Sequence, residues 1–213
     1  MKSTESAPLA NRLDDARRAV YREHILSVAE DEFGRVGFAA AKVGDIAAGA
    51  GVSLSTVYKS FGSKDDLWDA LNAERMKEFT QVVHAGTRLI DSPFERLLVG
   101  ARLELEFFAE RDSFLRLHLN DGLSWGTASV IPGAGRGAQR DAWKVGMELT
   151  AASAQAAADA GEIRPLRPSV VAALVISALQ VWLTDWVAHD RDRPISVVAD
   201  EVVDHLRSCL AAT

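Results

Sequence analysis

KVGDIAAGAGVSLSTVYKSFGSK, residues 42–64, reads as two short helices joined by a turn and followed by the start of a third. Val43, Ile46, Ala47 and Ala50 recur at i, i+3, i+4 and i+7, the spacing of one helical face. Gly51 follows, the residue type best able to take the positive φ that stops a helix and redirects the chain. Val52 fits the angle between the helices, and Ser53 stands where an N-cap hydroxyl accepts from the next turn. The helix predicted over 54–61 is too short to be stable alone, and it buries only Val57, Phe61 and part of Leu54. Its other face carries Ser55, Thr56, Tyr58, Lys59 and Ser60 and no carboxylate. Phosphate oxygens and base edges want donors of this kind, and small side chains let a helix sink into a major groove.

The same stretch resembles the helix-turn-helix of the TetR-type transcriptional repressors. The residues that carry the resemblance are Ala47, Gly51, Val52, Ser53, Val57, Tyr58, Phe61, Ser63 and Lys64, with Ile25, Ala29, Phe33, Gly37 and Phe38 upstream. It covers residues 16–70. Lys42 stands where the family usually has Thr, and Ser55 where Gly is frequent, so nothing about the operator sequence carries over. The resemblance implies operator DNA as partner, with Lys42, Ser53, Leu54, Ser55, Thr56, Tyr58, Lys59, Ser60 and Lys64 as contacts. Within that set the side-chain chemistry suits Ser55, Lys59 and Ser60 to base edges, and Thr56, Tyr58, Lys42 and Lys64 to phosphates.

With 213 residues the chain is long enough for one large or two small domains and a sizeable core. Nearly half its residues are hydrophobic, only six are proline, and alternating strand patterns are hard to find, so the expected class is all-α with about nine helices. The formal net charge of −6 argues against a chain that coats nucleic acid nonspecifically. Up to Lys64 there are nine Lys/Arg against eight Asp/Glu, a net of +1; beyond it fifteen against twenty-two, a net of −7. The single cysteine, Cys209, excludes an internal disulfide and fits a reducing cytoplasm. Residues 1–11 are polar and lack a signal-peptide core. The apolar run 170–176 is too short to span a bilayer, and 182–189 contains Asp185, so no membrane partner is expected.

The expected organisation is a disordered arm over 1–14, a DNA-binding domain over 15–62 and a helical ligand-binding and dimerisation domain over 63–213. A helix is predicted over 15–35, with Tyr21, Ile25, Ala29 and Phe33 inward; Gly37 ends it and Phe38 turns back into the core. Arg17, Arg18 and Arg22 read either as solvated charges or as one phosphate contact among them. Ser63 and Asp66 approximate a capping box, which puts Lys64 in a first turn, where the macrodipole disfavours a cation unless a phosphate is near. The helix that follows reaches His84 through Leu67, Leu71 and Phe79, long enough to link both halves. Ser92, Pro93 and Glu95 open a helix with Leu97, Leu98, Ala101, Leu105 and Phe108 inward. A short helix over 114–120 ends at Asp121 and Gly122, before a loop holding Trp125, Gly126, Pro132, Gly133 and Gly135. Three more helices are expected over 136–160, closed by Gly161, over 168–189 and over 194–210.

The five histidines do not form a metal-binding pattern, and Asp185/His189 and Glu201/His205 read as surface contacts. No P-loop, G-x-G-x-x-G or G-x-S-x-G occurs, so neither enzyme activity nor a cofactor is expected. Phe107, His118, Trp125, Trp143 and Met147 are the candidate effector contacts, a largely apolar set with one polar group. The wide apolar face over 168–189, with Val175, Leu179, Trp182 and Trp186 on a different side from Leu174 and Leu183, predicts a homodimer through that helix and 194–210. The alternative is that 168–189 is simply the central core helix. The resemblance implies a regulator released from DNA by a small molecule; the other reading is a helical binding protein that keeps the fold and reads no operator.

Overall fold

The computed structural model describes residues 9–120, 125–128 and 137–212. The expected arm residues 1–8, and Asp121, Gly122, Pro132, Gly133 and Gly135 of the expected loop, lie outside the described residues. The fold is all-α, with ten helices among the described residues. The chain divides into two compact units, Met1–Leu71 and Asn72–Thr213, with the boundary inside a helix rather than at residue 62.

The first unit holds α1 (Leu9–Ala40), α2 (Val43–Gly49), α3 (Leu54–Phe61) and the start of α4 (Lys64–Thr87). Helix α1 starts upstream of the expected Asp15 and is interrupted at Gly37, whose φ of 78° and ψ of 159° are non-helical. That break turns Phe38 back onto Phe33, ring centroids 5.5 Å apart, and Trp68 stands edge-on to both at 5.2 and 5.0 Å. Ile25, Leu26, Ala29 and Phe33 of α1 are buried, as are Ile46, Val57, Leu67, Trp68 and Leu71. One expectation needs correction here. Tyr21 is 48% exposed rather than inward, and Leu26 is buried instead. Trp68, fully buried, was not picked out as a core residue from periodicity.

The turn between α2 and α3 follows from Gly51. Its φ is 65°, a left-handed conformation that a β-carbon resists. This lets the Gly51 N–H donate to Ala48 O at 3.1 Å and the Val52 N–H to Ala47 O at 3.0 Å, closing α2 as a Schellman motif. Gly161, φ 71°, ends α8 by the same pair of bonds, from Gly161 to Ala158 and from Glu162 to Ala157.

The second unit contains the rest of α4 with α5 (Pro93–Ala109), α6 (Asp112–Asn120), α7 (Trp125–Ala128), α8 (Gly137–Asp159), α9 (Pro168–Ala188) and α10 (Ile195–Leu210). Helix α5 packs on α8, α9 and α10, and buries Leu97, Leu98, Ala101, Leu105 and Phe108 as expected. Its N-terminus is capped twice: Ser92 Oγ accepts from Glu95 N, and Glu162 accepts from both Ser92 Oγ and Phe94 N. Helix α9 buries Val171, Val175, Leu179, Leu183 and Trp186. It is long and apolar enough to cross a membrane by length and composition, more so than the 170–176 run suggests. In this fold that apolarity is used against α5, α7, α8 and α10. Trp125 sits in the extra short helix α7, not in an open loop, and is buried.

Candidate functional site

Two features stand out, one in each unit. The first is the outward face of α3. Ser53 caps the helix, accepting from the Thr56 N–H at 3.1 Å, and its hydroxyl lies 2.9 Å from Ser55 Oγ and 2.8 Å from Thr56 Oγ1. Ser60 Oγ donates back to Thr56 O at 3.0 Å. Val57 and Phe61 anchor the helix, while Leu54 and Tyr58 are both half-exposed and Ser55, Lys59 and Ser60 are exposed. Leu54 is therefore more outward than its apolar side chain suggests. Lys42, at the N-cap position of α2, is exposed and makes no side-chain cap. Among the described residues no side-chain hydrogen bond or ion pair engages Lys42, Tyr58 or Lys59.

Lys64 is differently placed from the free phosphate-binding cation expected. Its ammonium donates to Ala39 O at 3.2 Å and Ala41 O at 2.7 Å, and lies 4.6 Å from the Phe38 ring centroid. It ties the carbonyls at the end of α1 to the start of α4. Ser63 and Asp66 form the expected reciprocal cap beside it: Ser63 Oγ donates to Asp66 Oδ2 at 2.7 Å and accepts from Asp66 N at 3.0 Å. Arg22, read as solvated or as a phosphate contact, is exposed and has an internal role as well. It donates to Ser60 O at 3.0 Å and covers the Phe61 ring, so it steadies the C-terminal end of α3.

The second feature is a cavity of about 340 Å³ lying wholly within the second unit. Its walls come from α4 (Met76, Phe79, Thr80, Val83), α5 (Gly100, Ala101, Glu104, Phe107, Phe108), α6 (Phe114, His118), α7 (Trp125), α8 (Trp143, Met147, Thr150) and α9 (Val175, Ile176). All five residues singled out from sequence, Phe107, His118, Trp125, Trp143 and Met147, line it. Trp125 stacks on Phe108 at 5.1 Å, and Phe108 on Phe114 at 5.6 Å. The Trp125 backbone N–H donates to Gln180 Oε1 at 2.9 Å, and its Nε1 donates to His118 O at 3.3 Å. Because His118 Nδ1 meets the Phe114 carbonyl at 2.9 Å, it must carry the proton there.

Glu104 was missed from sequence. Its half-buried carboxyl lines the cavity, and desolvation there pushes its pKa up to about 7. It stands three residues after Ala101 and four before Phe108, so the spacing of the apolar face pointed to it. Residue type diverted the reading: a glutamate on an α5 otherwise rich in charges passes for a surface residue. Arg75, also on the wall, donates to Glu78 at 2.7 Å, and Arg111 reaches the same carboxylate at 3.3 Å.

Residues 25–71 match the family described as bacterial regulatory proteins, tetR family. The whole chain is similar to solved transcriptional regulators. FadR from Bacillus subtilis, solved with stearoyl-CoA, is 17% identical with a TM-score of 0.72, covering 87% of this chain and 97% of that one. The ketosteroid transcriptional regulator KstR2 of Mycobacterium tuberculosis is 18% identical with a TM-score of 0.69, covering 90% and 95%. A candidate regulator from Saccharomonospora viridis in complex with choline is 18% identical with a TM-score of 0.70, covering 92% and 100%. Comparison with curated proteins gives no match. At these identities the likeness is one of fold: a tetR-family helix-turn-helix domain followed by a helical domain in the manner of TetR-family regulators.

Proposed function

We propose that this chain is a ligand-responsive transcriptional regulator that binds a palindromic operator as a homodimer in the cytoplasm and is released by a small, largely apolar molecule. The observation that carries the DNA-binding reading is the outward face of α3. It is held rigid from behind by Val57, Phe61 and Arg22, presents hydroxyls, a phenol and Lys59, and has no carboxylate. Lys42, at the start of α2, supplies a second exposed cation. Donors of this kind address phosphates and the acceptor atoms of base edges.

The effector reading rests on the aromatic-walled cavity, at the small end of the volume range of ligand pockets. Similar regulators are solved with ligands as unlike as stearoyl-CoA and choline, so fold does not choose the ligand and the cavity's own residues must. Helix α4 is one continuous element that carries Lys64 near one end and the cavity residues Met76, Phe79, Thr80 and Val83 further along. A ligand that displaces α4 therefore acts on the helix that holds Lys64. By linkage, a ligand that weakens operator binding is itself bound more weakly, by the same factor, on the operator complex. A coupling of about 3 kcal/mol corresponds to roughly 150-fold release.

The test is selection of bound duplexes from random-sequence DNA. A two-fold symmetric motif with half-sites about one helical turn, ~34–36 Å, apart is expected. Recovery of no motif would leave a helical small-molecule-binding protein that keeps the fold without reading an operator.

A further inference from the structure

We propose that the effector is an apolar organic cation, an alkyl- or arylammonium, whose charge is balanced inside the cavity by the Glu104 carboxylate. This rests on the reading of the cavity as the effector site and goes beyond it by naming the ligand class. Glu104 lies in the middle of the α5 wall, with Gly100 and Ala101 on one side and Phe107 and Phe108 on the other. No hydrogen bond or ion pair to it is found among the described residues. A carboxylate facing an apolar cavity with no internal partner is disfavoured in its charged form unless it binds a proton or meets a cation.

The other charged and titratable groups on the wall are engaged elsewhere or open to solvent. Arg75 from α4 is paired with Glu78. Arg96 from α5 donates to Ile90 O at 3.0 Å. His118 from α6 is bonded to Phe114 O, and His84 from α4 is exposed. An anionic ligand would have to face the Glu104 carboxylate and draw Arg75 or Arg96 away from these partners. An ammonium would gain the Glu104 carboxylate; the faces of Phe107 and Phe108, one turn along α5, are already covered, by Arg111 and by Phe114 and Trp125. The remaining wall, from Met76 to Val175 and Ile176, takes an apolar body.

The experiment uses the full chain and three probes that share one tail: decyltrimethylammonium, decanol and decanoate, each below micelle-forming concentration, followed by tryptophan fluorescence. The wild type is expected to bind the cation at least about tenfold more tightly than the alcohol, and decanoate most weakly. In Glu104→Gln the preference for the cation disappears while decanol affinity stays within about twofold, which also shows that the variant is folded. A second measurement needs no variant: calorimetry in two buffers at pH 6.5 should detect proton release on binding the cation and none on binding decanol. If decanol or decanoate binds as tightly as the cation, or the variant keeps the preference, the assignment to a cation fails and the effector cavity stands. If none of the three binds, the cavity reading itself fails, and the cation proposal with it.

Discussion

The ammonium of Lys64 donates to the carbonyl of Ala41 at 2.7 Å, so the residue expected to greet a phosphate already has a structural task in the folded chain. A cation in the first turn of α4 opposes the helix macrodipole. Here the carbonyls of Ala39 and Ala41 and the ring of Phe38 compensate it. An ammonium has three N–H donors, and two are used, which leaves one to turn toward DNA.

Lys64→Ala should therefore act twice. Loss of charge-assisted bonds at a partly exposed site should destabilise the first unit by about 1–2 kcal/mol in a chemical melt. If Lys64 also contacts a phosphate, the slope of log affinity against log salt should flatten by roughly one unit, equally on every operator variant. Weakened binding with an unchanged slope would assign Lys64 to holding α1 against α4, and remove it from the phosphate contacts.

Glu104 gives stability a pH dependence of fixed sign. Its pKa is raised by burial to about 7 from an ordinary 4.5, so between those values the folded state holds a proton the unfolded state has lost. Its contribution is fully present below about pH 4.5, fades as pH rises towards 7, and is absent above. The loss amounts to roughly 3 kcal/mol by the size of the shift. Melting curves at pH 5 and pH 8 should show Glu104→Gln flattening the decline and exceeding the wild type at pH 8. A variant less stable than the wild type at both pH values would mean that the carboxyl has a favourable partner in the fold.

The helix-turn-helix was legible from residues 42–64 because each signal there is local: a helical face, a glycine stop and a serine cap specify a turn within a few residues. The same held for Ser92 and Gly161, whose bonds close within about one turn, and for Pro93, which needs no N–H partner at a helix start. What escaped the reading depends on distant pairing. Nothing near Arg22 in sequence announces the Ser60 carbonyl, and nothing near Ser92 announces Glu162. The aromatic residues of the cavity could be named from their type, whereas Glu104 could not. An acid on an apolar face is read as solvated until the helices that cover it are known. On α9 the grouping of Leu174 with Leu183 fails: nine residues apart they differ by half a turn, and Leu183 is buried with Val175, Leu179 and Trp186 while Leu174 is exposed.

Two glycines should separate backbone strain from crowding. At Gly51 a β-carbon would meet nothing within 4 Å, so Gly51→Ala suffers only the left-handed φ of 65°, about 1–2 kcal/mol. At Gly126, which lies on α7 against α9, the β-carbon would fall 2.6 Å from the backbone oxygen of Ala173, which cannot swing aside. Gly126→Ala should shift α7, destabilise by about 3 kcal/mol or more, and weaken ligand binding by displacing Trp125. Equal stabilities for the two variants would show that α7 moves freely over α9.

The dimer prediction turns on the side of α9 that faces away from the core. Val170, Leu174 and Val181 fall at i, i+4 and i+11, one stripe of the helix, and each is about half-exposed or more, Val181 reaching 60%. Val197 adds an exposed apolar residue on α10, and Trp182 links the two helices by donating to Glu201 at 3.2 Å. An apolar stripe spread over two adjacent helices exceeds what scattered surface residues explain, and a self-complementary two-fold contact would cover it. Such a pairing also supplies what one eight-residue recognition helix lacks, a second half-site. Val181→Glu should place a charge in that contact while changing the stability of the single chain by no more than about 0.5 kcal/mol, since the side chain is mostly solvated. Sedimentation at micromolar concentration should then give a dimer for the wild type and a monomer for the variant, with operator affinity falling in parallel. A wild type that remains a monomer both alone and on selected DNA would refute the two-fold arrangement. A variant that stays dimeric would move the interface off this stripe.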